Sequence, residues 1–474
     1  MDLECASQET VKQGLLARGW PPIKGFSKHV KTKVFEFFSH LIKLGQDDPR
    51  RVVHSLKAGL ALTLVSLFYY YQPLYKSFGV SAMWAVITVV VVFEFSVGAT
   101  LGKGVNRGLA TLLAGGLAVG AHQLANLSGR IGEPIVLGFF VFLQAAVSTF
   151  VRFCPQIKAR YDYGLLIFIL TFSLISISGF RDDEVLELVH KRLLTVLIGG
   201  STCVIISVLL FPVWAGQDLH NLIASNMEKL GIFLEGTHLH YQLLKKQCMY
   251  LVTGSGICLQ GLEMNTLKCQ RMESPKKIDP SCRVIKVFLT PKPTKMPWWA
   301  NFARWEPRHG RFQFRHPWRQ YLKIGALTRK CAYRIESLNG HLYADIQAKR
   351  EIRSKIQETC TTISMESGKA LKELSMAIKT MVQPFAADIH IENSKSSVKN
   401  LDTLLKSGLW DDETDLLEVV PVATVASLLI DVVTCTAEIA ESVNELATML
   451  KFEVVEPTVS PEKTETGQPK IGIS

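Results

Sequence analysis

VSAMWAVITVVVVFEFSV (residues 80–97) and LLTVLIGGSTCVIISVLLFPVW (residues 193–214) are two of six apolar runs in the first half of this 474-residue chain. Neither run has the polar face that a surface helix of a soluble protein carries. Each run is close to the ~20 residues that a helix needs to cross ~30 Å of hydrocarbon. The sequence therefore predicts six membrane spans, at residues 52–73, 79–97, 104–124, 134–151, 163–179 and 193–213.

The remaining sequence predicts the rest of the domain organisation. Periodic apolar positions predict long helices at residues 217–244, 316–342, 351–381 and 421–450. The predicted fold is an all-α membrane protein, with six transmembrane helices followed by a cytosolic helical bundle. The predicted parts are an N-terminal segment (1–46), a pore domain (47–214), a helical domain (215–452) with an irregular loop (245–299), and a disordered tail (453–474).

A helix is predicted just before the first span. Residues 31–44 place an apolar stripe on one helical face, which favours either a helix lying on the inner leaflet or one packed on the protein's own soluble domain. Asp48 is a predicted N-cap, followed by Pro49 at the first helical position of span one. The stripe consists of Val34, Phe35, Phe38, Leu41 and Ile42.

The distribution of basic residues predicts the orientation in the membrane. Seven basic residues flank the spans on the side of the N-terminus, whereas three lie in the opposite loops. The positive-inside rule then places both termini in the cytoplasm. The first group is Arg50, Arg51, Lys103, Arg107, Arg152, Lys158 and Arg160, and the second is Lys76, Arg130 and Arg181.

Composition excludes several classes of site. The ten cysteines form no CxxC pair and no zinc spacing, so they predict no zinc centre. No cofactor and no enzymatic activity are expected. The excess of basic residues, 53 against 42 acidic ones, is concentrated in residues 268–334, where 17 basic residues meet three acids. No nucleic-acid motif accompanies them, which favours the anionic inner leaflet or an acidic partner.

Basic residues inside or beside the apolar runs point to an anion pathway. Lys103 and Arg107 are four residues apart, so they share a helical face; they either snorkel to the interface or face a water-filled path. Arg192 is the stronger candidate, because it opens span six on the side that the positive-inside rule does not favour. Lys57 is a lower candidate, and Glu94 is expected to pair with Lys57, Lys103 or Arg107.

Acidic residues before span six form a candidate cation sensor. Asp183 and Glu187 are four residues apart and share a helical face. Carboxylates in that arrangement are able to bind a hard polyvalent cation on the outer side. The alternative is a solvated loop whose charge is balanced by Arg181.

Five stretches of this chain resemble one known family. They are DPRRVVHSLKAGLALTLVS (48–66), AMWAVITVVVVFEFSVGATLGKGVNRG (82–108), STFVRFCPQIKARYDYGLLIFILTFSLISISGFRD (148–182), FPVWAGQDLH (211–220) and FARWEPRHGRF (302–312). Together they are similar to the plant aluminium-activated malate transporters.

That resemblance implies a homodimeric anion channel whose pore lies between subunits and passes malate and related organic or inorganic anions. It implies that Arg107 and Arg192 are pore arginines, that Trp305, Glu306 and Pro307 form a cytosolic motif, and that the plasma membrane is preferred over the vacuolar membrane. Asp183 and Glu187 match acidic positions of the family.

Two other functions stay open at this point. A proton-coupled exporter of aromatic or organic acids has a related six-span architecture, and it predicts flux coupled to pH. A membrane scaffold that uses the basic segment predicts no flux at all. The principal expectation is passive anion flow driven by the membrane potential, through positive rings that attract dicarboxylates but hold them weakly.

Overall fold

A computed structural model describes residues 23–71, 83–180, 185–253, 295–342, 350–407 and 416–454. The chain divides into two compact units, residues 1–213 and 214–474. The secondary structure in the described part is helical, apart from two isolated β-bridges.

The first unit contains seven helices among its described residues. The polypeptide between consecutive helices from α4 to α6 is short, so these helices run antiparallel to their neighbours. The helices are α1 (Ile23–Asp47), α2 (Pro49–Tyr70), α3 (Met83–Val92), α4 (Val97–Asn126), α5 (Gly129–Val151), α6 (Pro155–Gly179) and α7 (Val185–Leu209).

Five helices of the first unit, α2, α4, α5, α6 and α7, are long and apolar enough to cross a membrane. They lie where spans one, three, four, five and six were predicted. The predicted second span is different, because α3 has ten residues, or about 15 Å of helix. Residues 72–82, which precede α3, lie outside the described residues.

A break separates α3 from α4, and the prediction that the second span continues to residue 97 is wrong. The Thr100 hydroxyl donates to the Glu94 carbonyl at 3.1 Å, and the Glu94 N–H donates to the same hydroxyl at 3.0 Å. Ser96 then caps α4 by accepting from the Ala99 N–H. These polar bonds satisfy the backbone where α3 ends, so α4 begins seven residues earlier than the predicted start at residue 104.

The junction between α1 and α2 confirms Asp48 as an N-cap. Asp48 has an extended backbone, its carboxylate accepts from the Arg50 N–H at 3.2 Å, and Pro49 occupies the first helical position. A Cβ on Gly45 would lie 3.1 Å from the Val52 side chain, so the chain bends here. The predicted apolar face of α1 is exposed, with Phe35 at 74%.

The second unit contains six helices among its described residues. Four of them coincide with the predicted helices, although α8 extends nine residues beyond the predicted end at 244. The helices are α8 (Ala215–Thr253), α9 (Lys295–Ala303), α10 (Trp318–Leu342), α11 (Arg350–Thr380), α12 (Phe385–Lys406) and α13 (Leu416–Leu450).

The sequence did not indicate α9 and α12. The buried stripe of α12 includes Ser394 as well as Ile391 and Leu401, which weakens its apolar period. Helix α9 has only nine residues, and it begins within the segment predicted to be an irregular loop at 245–299. That segment is helical at 245–253 and at 295–299, and residues 254–294 lie outside the described part of the chain.

The core of the second unit is built mainly from α8, α10, α11 and α13, with further side chains from α9 and α12. Helices α8 and α11 cross at two glycines, where a Cβ on Gly231 would lie 2.6 Å from the Gly368 carbonyl and one on Gly368 would lie 2.9 Å from the Gly231 carbonyl. Any side chain at either position would force the two backbones apart.

Helix α13 also contains a segment, Val419–Leu450, that is long and apolar enough to span a membrane. Its packing differs from that of a span. Val432, Ile439 and Val443 are buried in the core of the second unit, while its acidic residues form ion pairs with α10. A charged residue at the centre of a span costs at least ~2.5 kcal/mol, so this packing favours a bundle helix.

Candidate anion-binding site

Arg107 is buried between three helices of the first unit. Its side chain lies on α4 and the residue is 5% exposed. The guanidinium donates to the Thr88 hydroxyl of α3 at 3.1 Å and to the Tyr163 hydroxyl of α6 at 3.3 Å. Both partners are neutral, so they orient the guanidinium and leave its charge uncompensated.

Arg192 is buried on α7, two turns after the helix begins at Val185. It is 8% exposed, and its guanidinium carbon lies 3.4 Å from the centre of the Trp84 ring on α3. This stacking is a cation–π contact, whose attraction increases when water is excluded. The start of span six was therefore predicted eight residues too late, and Arg192 lies within the helix.

Helix α3 brings the two arginines together. Trp84 and Thr88 are one helical turn apart, so one face of α3 contacts both guanidinium groups. The Arg107 guanidinium bonds to Thr88, and the Arg192 guanidinium stacks on Trp84. The close approach of α3 and α7 depends on Gly199, because a Cβ there would lie 2.7 Å from the Ala85 carbonyl and 3.0 Å from Thr88 Cβ.

The site has no acidic member among the residues that the structure describes. No carboxylate in the described part of the chain lies within ion-pair distance of Arg107 or Arg192. Burying an uncompensated charge costs free energy. Two such charges side by side are therefore a site that a small anion would stabilise.

Lys103 has a different environment from Arg107. Its ammonium forms an ion pair with Glu94, so of the three predicted partners of that acid the structure shows Lys103. Glu94 was predicted to lie within a span, but it lies in the break after α3. The Lys103 ammonium also lies 5.5 Å from the centre of the Tyr163 ring, so Tyr163 contacts both basic residues of α4.

Lys57 contacts different residues from the two arginines. It is buried on α2, and its ammonium donates to the Phe211 carbonyl at 2.7 Å. Phe211 has a positive φ of 40° and follows the end of α7. The Lys57 contact therefore holds the chain where it leaves the last span.

Of the two residues of the candidate cation sensor, the structure describes Glu187. Asp183 lies outside the described residues. Glu187 is exposed on the first turn of α7 and pairs with Lys191 at 2.6 Å. No group of three His, Cys, Asp or Glu side chains suited to a metal ion occurs in the described segments.

The Trp305-Glu306-Pro307 motif lies in the second unit, between α9 and α10. The Glu306 carboxylate is 3% exposed and accepts from the N–H groups of Ala215 and Gly216, at 2.6 and 3.1 Å. These are the first residues of α8, whose helix dipole favours a negative charge there. Gly216 is required because a Cβ would lie 2.5 Å from the Trp318 ring.

Aromatic and histidine side chains surround this capped helix start. The Trp214 and His309 rings stack at 3.8 Å, and His220 and His316 both contact the Tyr321 hydroxyl. Burial lowers the pKa of His220 and of His316 to about 4. Both rings are therefore neutral near pH 7, and they pack as aromatic groups.

Sequence reasoning did not find Trp84, Thr88 or Tyr163. All three are uncharged, whereas the anion path was predicted from basic residues. The available signal was the spacing of Trp84 and Thr88 on a helix that is otherwise aliphatic, because a tryptophan and a hydroxyl one turn apart are suited to contacting cations.

Comparisons with known proteins identify relatives of the whole chain. The family described as aluminium activated malate transporter matches residues 42–410. The aluminum-activated malate transporter 7 of Arabidopsis thaliana is 54% identical over 434 residues, which cover 89% of this chain and 84% of that protein. The aluminum-activated malate transporter 1 of Triticum aestivum is 43% identical over 422 residues, covering 87% and 85%.

Proposed function

Because this chain belongs to the aluminium-activated malate transporter family, we propose that it carries malate and other organic or inorganic anions across a membrane, down their electrochemical gradient. The observation that carries this proposal is the buried pair Arg107 and Arg192, whose described partners are two hydroxyls and an indole ring.

The mechanism follows from that environment. A dicarboxylate that leaves water loses hydration, and two guanidinium groups replace part of it with charge-assisted hydrogen bonds. Thr88 and Tyr163 hold one guanidinium and Trp84 holds the other, so little side-chain reorganisation accompanies binding. No carboxylate of the described residues lies at the pair, so the site does not repel an anion.

The assembly and orientation of the channel are part of the proposal. Two copies of this chain form a homodimer, and the arginines of both copies line the path between them. Both termini face the cytoplasm, and the plasma membrane is the site of action. Lys103 attracts anions at the inner entrance, where Glu94 partly balances its charge.

Anion replacement under voltage clamp tests this function in cells that express the full chain. Currents should reverse at potentials that follow the gradients of malate, nitrate and chloride. Reversal potentials that ignore all three gradients would overturn the channel.

The same cells separate the other functions named above. A proton-coupled exporter predicts radiolabelled malate flux that collapses when the pH gradient is removed, with little current. A scaffold predicts neither current nor flux, together with the loss of bound partners on deletion of the basic segment 268–334. The family and the buried arginine pair favour the channel over both.

A further inference from the structure

Five exposed arginines lie in the loop between α9 and the first turn of α10, residues 304–319. The one acid of this loop, Glu306, is buried and accepts hydrogen bonds at the start of α8, so it does not face the arginines' solvent side. The exposed arginines are Arg304, Arg308, Arg311, Arg315 and Arg319.

The backbone of this loop is held in a defined shape. His309 and Phe312 exchange backbone hydrogen bonds at 3.2 and 2.9 Å around Gly310, whose φ is +52°. Phe312 is buried in the core of the second unit, and the Arg311 guanidinium donates to the Thr380 carbonyl at 2.8 Å. The arginines are therefore displayed on an ordered support.

Three cations of α10 are paired with carboxylates, whereas three arginines of the loop are not. Lys323, Lys330 and Arg334 on α10 each pair with a carboxylate of α13. No carboxylate in the described segments lies within ion-pair distance of Arg308, Arg315 or Arg319. The loop therefore has a positive potential of its own.

Three features of the loop cost stability and serve no described packing. Phe314 is 64% exposed, with the Arg315 guanidinium 5.7 Å from its ring centre, and Arg315 itself has a φ of +62°. Arg319 lies in the first turn of α10, where the helix dipole disfavours a cation. An exposed aromatic ring among arginines is typical of a surface that meets a bilayer interface.

A short stretch of chain connects the first unit to the start of α8. The last helix of the first unit ends at Leu209, and Glu306 bonds to the Ala215 N–H, six residues later. Six residues reach at most ~20 Å, whatever the arrangement of the two units. The short covalent connection from Leu209 to Ala215 therefore limits the distance between the end of that helix and Glu306.

We propose that the loop of residues 304–319 binds anionic phospholipid headgroups of the inner leaflet, through Arg308, Arg315 and Arg319, with Phe314 at the interface. The assignment to the inner leaflet rests on the proposed orientation of the channel. Each such arginine increases affinity for an anionic surface by about fivefold.

Hydrogen–deuterium exchange of the full chain tests this binding in nanodiscs of phosphatidylcholine with or without phosphatidylserine. Backbone amides of the loop should exchange at least about 10-fold more slowly when phosphatidylserine is present. Raising the salt to about 0.5 M should remove most of that difference, because the charges are exposed. The combined change of Arg308, Arg315 and Arg319 to Gln should abolish it.

The matched control removes three charges from the same unit, by changing Lys323, Lys330 and Arg334 to Gln, and it should retain the protection. Equal exchange in both nanodiscs would overturn the proposal, as would equal loss in the two triple variants. Protection by free phosphate in phosphatidylcholine discs would also overturn it in favour of a soluble anion. Nanodiscs present both leaflets alike, so these results are independent of anion transport, which flux on the same protein measures separately.

Discussion

Two buried arginines of the first unit and the partly buried lysines of the second unit have opposite kinds of partner. In the first unit, Arg107 and Arg192 contact hydroxyls and an aromatic ring. In the second unit, the basic residues between helices contact carboxylates, as in the pairs Lys372–Glu235 and Lys379–Glu228. Charge compensation, and not the presence of cations, therefore distinguishes a binding site from a structural contact.

The two kinds of contact differ in where the negative charge that balances the cation comes from. A carboxylate supplied by the protein stabilises the fold permanently, and it competes with any external anion. A hydroxyl or an indole ring orients the cation but leaves its charge to be met from outside. On this comparison Lys103, which pairs with Glu94, lies between the two cases.

The largest effect is expected from Arg192→Ala. A unit charge ~4 Å from an anion is worth about 4 kcal/mol at an effective dielectric of 20, so anion conductance should fall by at least about 100-fold. The measurement is whole-cell current normalised to surface expression. Lys191→Ala is the control, because the neighbouring lysine pairs with Glu187, and it should retain most of the current. Unchanged current in Arg192→Ala would refute the site.

The next effect concerns stability and is expected from Glu366→Gln. Burial acts to raise the Glu366 pKa, but hydrogen bonds from Lys369, His390 and Asn393 outweigh it and lower the pKa to about 2. The substitution should therefore destabilise the protein by about 2 kcal/mol at pH 7.

The sign of the pH dependence follows from that lowered pKa. The ionised carboxylate stabilises the fold fully above its ordinary pKa of 4.5, and the contribution is lost as the pH falls towards about 2. The difference in Tm between wild type and variant should thus shrink from pH 7 to pH 3. Glu392→Gln, at an exposed position of α12, should leave Tm nearly unchanged. A difference that grows on acidification would contradict the assignment.

A carboxylate placed beside Arg107 tests directly whether its uncompensated charge is needed for anion conductance. Thr88→Asp would put an acid beside the Arg107 guanidinium, which now donates to the Thr88 hydroxyl at 3.1 Å. Because Arg192 would remain, we expect anion conductance to fall by about 10-fold and not to vanish. Thr88→Ser keeps the hydroxyl and should behave like the wild type. Equal currents in the two variants would show that compensation of Arg107 does not matter.

The smallest effect is expected from removing one compensated cation of the second unit. Lys372→Met keeps most of the apolar stem but loses the ion pair with Glu235, whose distance is 2.9 Å. Both side chains are partly exposed to water, so the loss should be below about 1 kcal/mol. Thermal unfolding of the full chain measures it, and anion conductance should stay the same. A large loss of current would mean that the second unit also holds a cation needed for transport.

Sequence patterns predicted the helices wherever apolar composition alone decides the structure. Long runs without a polar face predicted the spans, and Asp48 with Pro49 predicted the start of α2, because N-capping is a local interaction. The break after Val92 was missed because it depends on Thr100, whose hydroxyl bonds to Glu94 across the turn. A valine-rich sequence does not reveal where such a turn falls.

The sequence predicted the two arginines of the candidate site, but it did not predict the residues that contact them. Arg192 was singled out because positive-inside statistics gave no reason for it, and that argument needs no tertiary contact. Trp84 and Tyr163 were missed because cation–π and hydroxyl contacts join residues from distant parts of the chain. The role of Glu306 was likewise hidden, since its bonds to Ala215 and Gly216 connect residues about 90 positions apart.

The crossing of α8 and α11 has a consequence for genetics. At most helix contacts, a larger residue on one side is rescued by a smaller residue on the other. Gly231 and Gly368 already lack side chains and contact each other's backbone, so neither position has anything left to remove. Substitutions there should therefore have no suppressor at the facing glycine, and the two positions should stay fixed together while the surrounding core residues exchange volume freely.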